Sequence, residues 1–154
     1  MSLKIICLGK TRESWIQQGI DEYRKRLAPH WKIDWLELKD TSLKTAGSVS
    51  KVRQLEAQTI LKAVSEQDYL IALDEKGKAT DSVSFAKELT ALINSRDVVF
   101  VIGGVYGLDK ALLDRANRTL SFSAFTFPHQ LIRVILMEQF YRAWTISTGK
   151  TYHY

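Results

Sequence analysis

The sequence contains one cysteine, Cys7, so an intramolecular disulfide is impossible and a cysteine-based zinc site is excluded by count. Inside the apolar run LKIICL, that thiol reads as a small core residue. No stretch reaches the roughly 18 apolar residues that a membrane helix requires. LKIICLG is too short and wrongly flanked for a secretory signal. The expectation is a cytoplasmic protein with no membrane partner and no metal. Internal repeats, low-complexity segments and long linkers are absent too, the softest region being LKDTSLKTAGSVS at 38–50. Acidic residues are the scarcer charge, 17 against 22 Lys and Arg, which gives +5 and a pI near 9.3. That balance mildly favours an anionic partner such as nucleic acid. Basic residues thicken at RKRLAPHWK (24–32) and at Arg133, Arg142 and Lys150, although a solvated helix face accounts for the first group equally well.

A chain of 154 residues is the size of one domain and buries about two-thirds of its unfolded surface, so a single domain over 1–154 is expected. Leu3–Leu8, Tyr69–Leu73 and Val98–Ile102 are short, nearly continuous apolar runs, the pattern of strands covered on both faces. Leu120–Phe127 reads as another strand, and WKIDWLEL (31–38) as one nearer an edge. Helical spacing marks 13–27, 50–64 and 82–93, the last with a cap at Asp81 or Ser82. This alternation predicts an α/β domain with a mostly parallel sheet and helices on both faces. The terminal segment HQLIRVILMEQFYRAWTISTGKTYHY adds an apolar helix, a short β-like run and a polar aromatic tail.

In open α/β sheets, ligands collect at the carboxyl ends of strands. DEKGK (74–78), GGVYGL (103–108) and FSAFTFPH (122–129) leave those ends. The glycines of GGVYGL occupy a strand-to-helix turn where the backbone adopts positive φ or approaches something closely. G-G-x-x-G departs from the dinucleotide spacing, and no acidic residue follows at the right distance, so a nucleotide-dependent oxidoreductase is disfavoured. A ligand site and a plain tight turn both remain open here. FSAFTFPH interleaves small residues with Phe125 and Phe127, offering main-chain groups beside apolar surface, or else it is a buried strand ending at Pro128.

IGGVYGL, SFSAFTFPH and the terminal segment together resemble the ribosomal RNA large subunit methyltransferase H family of the SPOUT superfamily, and the resemblance spans the chain from KIICLGK through LDEKGK to the end. It implies a SPOUT-type fold with a C-terminal trefoil knot, S-adenosylmethionine as cofactor, and a homodimer. The implied reaction methylates N3 of a pseudouridine of 23S rRNA within the assembled 70S ribosome. Transferred by position, the cofactor contacts fall on Leu73, Gly103, Gly104, Phe122, Ser123, Ala124, Phe125, Thr126 and Phe127. The family usually closes on Tyr-His followed by Lys or Arg; here Tyr154 follows Tyr152 and His153. A non-catalytic ribosome-binding factor of the same fold is the alternative.

N3 carries a proton, so methyl transfer needs an acceptor or a cation that stabilises the imide anion. Glu138 and His153 are the candidate acceptors, Arg142 the stabiliser, and Tyr152 a stacking or hydrogen-bonding partner for the base. Glu138 and Arg142, four apart, can equally be an intrahelical ion pair. His129 is either a helix-start histidine satisfied by backbone or part of the base site. Arg133 reads as an RNA phosphate contact or a subunit-interface donor, and Lys150 as an RNA contact.

Overall fold

The computed structural model describes all 154 residues. Strands β1 (Leu3–Leu8), β2 (Ile33–Leu38), β3 (Tyr69–Ala79), β4 (Val98–Ile102) and β5 (Arg118–Ser121) form one parallel sheet in the order β2-β1-β4-β3-β5. The central runs are continuously apolar because each face of the sheet is covered. Leu3, Ile5 and Cys7 of β1 and Val98, Phe100 and Ile102 of β4 point to one side. There they meet α1 (Ser14–Leu27), α4 (Ser82–Ser95) and α6 (His129–Ser147) in a cluster of 19 buried residues. Ile6, Leu8, Val99 and Val101 point to the other side, under α3 (Val49–Lys62) and α5 (Lys110–Arg115), in a cluster of only 8. The C-terminal helix therefore belongs to the larger core. A one-turn helix, α2 (Leu43–Ala46), falls in the soft region.

Local chemistry sets the helix starts. Ser48, Asp81 and Asp109 are N-caps that accept from the backbone N–H of Lys51, Ser84 and Ala111. Cys7 is fully buried, and that burial pushes its thiol up to about 12, which makes it inert packing. Strand β2 lies at the sheet edge, as its mixed pattern predicts.

Three expectations need correction. First, β3 does not end at Leu73. It continues to Ala79 through a register jump in which Leu73 and Lys78 both pair with Leu120, leaving 74–77 as an excursion. Gly77 permits this, since a Cβ there would lie 2.8 Å from the Leu120 N and the Thr119 carbonyl carbon. Second, β5 stops at Ser121 rather than Phe127. Ser121 Oγ donates to the Ser123 carbonyl and Ser123 Oγ accepts from Phe125 N–H, so side chains divert the backbone from the ladder. Third, the β-like run WTIS is the last turn of α6. Its Thr145 hydroxyl donates back to the Arg142 carbonyl at 2.7 Å, and the following Thr148 hydroxyl to Trp144 at 2.8 Å.

Helix α6 packs between α1 and α4. Its first turn is pinned to the end of β1: Gln130 Nε2 donates to the Lys10 carbonyl and Gln130 Oε1 accepts from Arg12 N–H. Residues 122–128 thus carry the chain from the β5 edge across the ends of β3 and β4.

Candidate active site

That crossing encloses a cavity of about 700 Å³ at the carboxyl ends of β3, β4 and β5, within the size range of small-molecule sites. Leu73 with Asp74 and Glu75 forms one wall, and the turn Gly103 to Leu108 a second. Phe122, Ser123, Phe125, Thr126 and Phe127 form a third, and His129 and Ile132 of α6 close the back. Eight of the nine candidate cofactor residues line it; Ala124 belongs to the same segment without lining it.

The glycines act through both mechanisms anticipated for them. Gly107 has φ +80°, turning the chain so that its N–H donates to the Gly104 carbonyl at 3.1 Å. Gly103 and Gly104 are close approaches, where a Cβ would come within 3.0 Å of Leu108 Cδ2 and 3.1 Å of Glu56 Oε2. The N–H groups of Val105 and Tyr106, and those of Ala124, Thr126 and Phe127, donate to no protein acceptor. Main-chain donors without internal partners require water or a ligand. At the mouth, Thr126 Oγ1 donates to Glu75 Oε2 at 2.7 Å, tying the β3 excursion to the segment after β5. The imidazole of His129 is held below its ordinary value by burial, reinforced by the positive charges of Arg133 and Arg12. The same burial and charges disfavour its protonated form.

The other catalytic candidates converge elsewhere. Glu138 Oε1 accepts from Arg142 Nε at 3.0 Å and from Tyr152 Oη at 3.1 Å, so the anticipated ion pair exists and is part of a larger group. Arg142 also reaches His153 Nδ1 at 3.1 Å and lies 4.8 Å from the Tyr152 ring centre. Tyr152 packs edge-on against Tyr141 at 4.8 Å. Its phenol is raised above the ordinary value, first by burial and then by Tyr23 and Glu138. The quartet does not touch the cavity. Glu138 and Arg142 lie six and ten residues past Ile132, roughly 9 and 15 Å of helix rise and about 120° and 80° around the axis.

Arg133 must be corrected. It is fully buried, donates to the Leu8 carbonyl at 2.7 Å and to Thr11 Oγ1 at 3.0 Å, and sits 3.7 Å from Glu37. A guanidinium locked under β1 reaches neither RNA phosphate nor a partner subunit. Lys150 is exposed, with its ammonium 5.1 Å from the Trp144 ring centre.

Sequence reasoning missed Tyr23, Tyr141 and Glu56. The tyrosines are hidden among apolar helix positions and leave no signal. Glu56 leaves one: it falls midway between Val52 and Ile60 on the buried stripe of α3, where an acid is out of place. It is 5% exposed, its Oε2 has no partner, and burial raises its carboxyl above the usual range, aided by Asp40.

No helix is long and apolar enough to cross a membrane. A family model described as a predicted SPOUT methyltransferase matches residues 1–153. A Clostridium novyi (strain NT) protein named ribosomal RNA large subunit methyltransferase H is 44% identical over 160 residues, covering 99% of both chains. Proteins of the same name from Clostridium botulinum strains Okra and Loch Maree are 42% and 41% identical over 158 residues, again covering 99% of both. A main-chain-walled cavity at the carboxyl ends of a parallel sheet, matched over its full length in this way, places the chain in the SPOUT methyltransferase family, among the ribosomal RNA large subunit methyltransferase H proteins.

Proposed function

We propose that this chain transfers a methyl group from S-adenosylmethionine to N3 of a pseudouridine of 23S rRNA in the assembled ribosome, acting as a cytoplasmic homodimer. The observation that carries the reading is the cavity lined by main-chain N–H groups that have no protein acceptor, those of Val105, Tyr106, Thr126 and Phe127, beside the apolar Leu73, Leu120 and Ile132. Amides and carbonyls recognise the edge of a flat heterocycle, and the apolar walls enclose its faces. The donor supplies an activated methyl on a sulfonium. Its transfer forms the N3–CH₃ bond, breaks C–S, and leaves a neutral thioether together with the N3 proton. On this reading the trefoil knot lies where 122–128 crosses to α6.

The protein's tasks are to position the base and to accept that proton. Neutral His129 sits at the cavity. Glu138, Arg142, Tyr152 and His153 stand at the far part of α6, too distant to reach the same reacting atoms within one chain. A second copy supplies them. Leu131 and Ile135 are half-exposed apolar residues one turn apart on α6, Trp15 is 58% exposed and Phe127 37%. An isologous pairing that covers these surfaces brings one subunit's tail against its partner's cavity.

Calorimetric titration with S-adenosylmethionine tests donor binding, and mass spectrometry of ribosomes incubated with donor and protein tests the product. A pseudouridine heavier by one methyl is expected; donor binding without product indicates the non-catalytic factor instead. Mixing a Tyr152→Phe/His153→Ala chain with a Gly104→Val chain tests the shared site. Recovered activity from two inactive chains is expected, and none recovered refutes sharing.

A further inference from the structure

The two basic segments, 24–32 and the chain's end, form one surface. Trp144 on α6 joins them: His30 stacks on its ring at 3.9 Å with 15° between planes, and the Lys150 ammonium stands 5.1 Å from the ring centre. Arg26 lies 5.5 Å from both Tyr23 and Tyr141, and Tyr141 touches Tyr152. The C-terminal end of α1 is therefore tied, ring by ring, to the Glu138–Arg142–Tyr152–His153 quartet. Beside it lies an open groove of about 400 Å³ lined by Arg24, Lys25 and Lys32 together with Trp31. None of the three cations has a carboxylate partner, whereas Arg26 is paired with Glu22 and Arg142 with Glu138. The groove's one acid, Asp21, accepts from Gln17 Nε2.

A solvated helix face or dipole compensation explains cations on the last turn of α1. It does not explain why Lys32, beyond the helix, lines the same groove with them and Trp31. Three unpaired cations flanking an indole are the requirements for holding an unstacked RNA strand, with phosphates on the charges and a base on the ring. We propose that this groove binds the sugar–phosphate backbone of the loop that carries the target nucleotide, a few nucleotides from the quartet. The proposal rests on the rRNA methylation reading and adds the surface that grips the substrate.

The test is the charge-reversed chain Arg24→Glu/Lys25→Glu/Lys32→Glu, altered only at surface side chains. Binding to ribosomes is measured across a salt series beside steady-state methylation. Without the three cations to meet phosphates, the log–log salt slope should fall by about 2, and KM should rise at least tenfold while kcat holds. Lys25→Arg/Lys32→Arg should retain both values. Donor calorimetry should not change, so failure of the enzyme reading, recorded as no donor heat or product from the unaltered chain, is separable from failure of the groove. Ultraviolet cross-linking on the ribosome should attach a nucleotide to a peptide within 24–32. An unchanged salt slope in a donor-binding variant, or the same peptide joined to a ribosomal protein in place of RNA, overturns the proposal.

Discussion

Replacing Arg133 by methionine separates two roles for the one guanidinium buried in this protein. Methionine keeps most of the stem volume, so the loss is polar. The Leu8 carbonyl loses its 2.7 Å donor, and Thr11 Oγ1 loses one at 3.0 Å. Glu37 fares better, since Trp35 Nε1 at 3.0 Å and Thr11 still donate to it. Burial pushes the Glu37 carboxyl up, yet those donors and the Arg133 charge together hold it below the usual range. An orphaned buried carbonyl costs about 1–3 kcal/mol, and removing one partner of a buried ion pair about 3–5. Glu37 keeps its other donors and Arg133 Nε is itself unpaired, which places the expected loss near the bottom of the second range, about 3 kcal/mol. For a chain of this size that lowers Tm by roughly 6–12 °C. Thermal unfolding at fixed protein concentration reads it, and the drop should persist in high salt because the group is shielded from ions. A phosphate contact behaves oppositely: Tm holds and the ribosome-binding salt slope falls by about 1. That second pattern would refute the structural role given to Arg133.

Three further perturbations probe other parts of the fold. Gly77→Ala sets a methyl 2.8 Å from β5 backbone that cannot yield; overpacking of about 1–3 kcal/mol should appear as faster amide exchange in Arg118–Ser121, and unchanged exchange counts against the close approach. Glu56→Gln addresses a carboxyl whose folded-state pKa is raised: the folded state holds the proton longer than the unfolded one, so stability falls as pH climbs from about 4.3 through the folded value. The glutamine variant should flatten that fall in urea titrations at a series of pH values and match or exceed the parent at neutral pH; a slope equal to the parent's refutes it. Tyr152→Phe should remove one phenol that ionises well above the ordinary value of about 10 in a spectrophotometric titration, and an unchanged late phase would show that the phenol is solvated.

Most of the sheet was legible because a strand covered on both faces is apolar at nearly every position: VVFVI is so throughout and LKIICL is so except at Lys4. What escaped was decided by contacts distant in sequence. DEKGKA carries no apolar pattern, and its extended shape comes from Leu120 and Ser121, more than forty residues away. SAFTF carries a strong β pattern, yet β3 offers no partner beyond Ala79, and two serine side chains take over the turning. Strand propensity describes which residues fit a pleat and not where the neighbouring strand ends. Arg133 was misplaced for a related reason. On a helix plot it shares a face with His129, but only tertiary structure reveals that this face lies beneath the Leu8 carbonyl.

The candidate site divides along the same line, and the division has a mechanical meaning. Backbone recognition depends on strand ends and glycines, which local sequence encodes, so the loops that wall the cavity were legible, while the individual residues came from the resemblance. Glu138, Arg142, Tyr152 and His153 were named as candidates from chemistry, but neither the meeting of all four nor their position relative to the cavity was legible. A straight helix fixes that position: residues thirteen apart on α6, His129 and Arg142, are separated by about 20 Å of rise, and no side-chain rotation closes such a gap. Proton acceptance and methyl donation must occur within a few ångströms of one nitrogen. Either His129 alone serves the base at each cavity, leaving the quartet a structural lock on the chain's end, or a second copy carries the quartet in. The lock leaves Arg142, Tyr152 and His153 without a substrate role, and activity should then survive their replacement in every copy; if they act across an interface between two copies, activity is lost there and recovered when two differently altered chains are mixed.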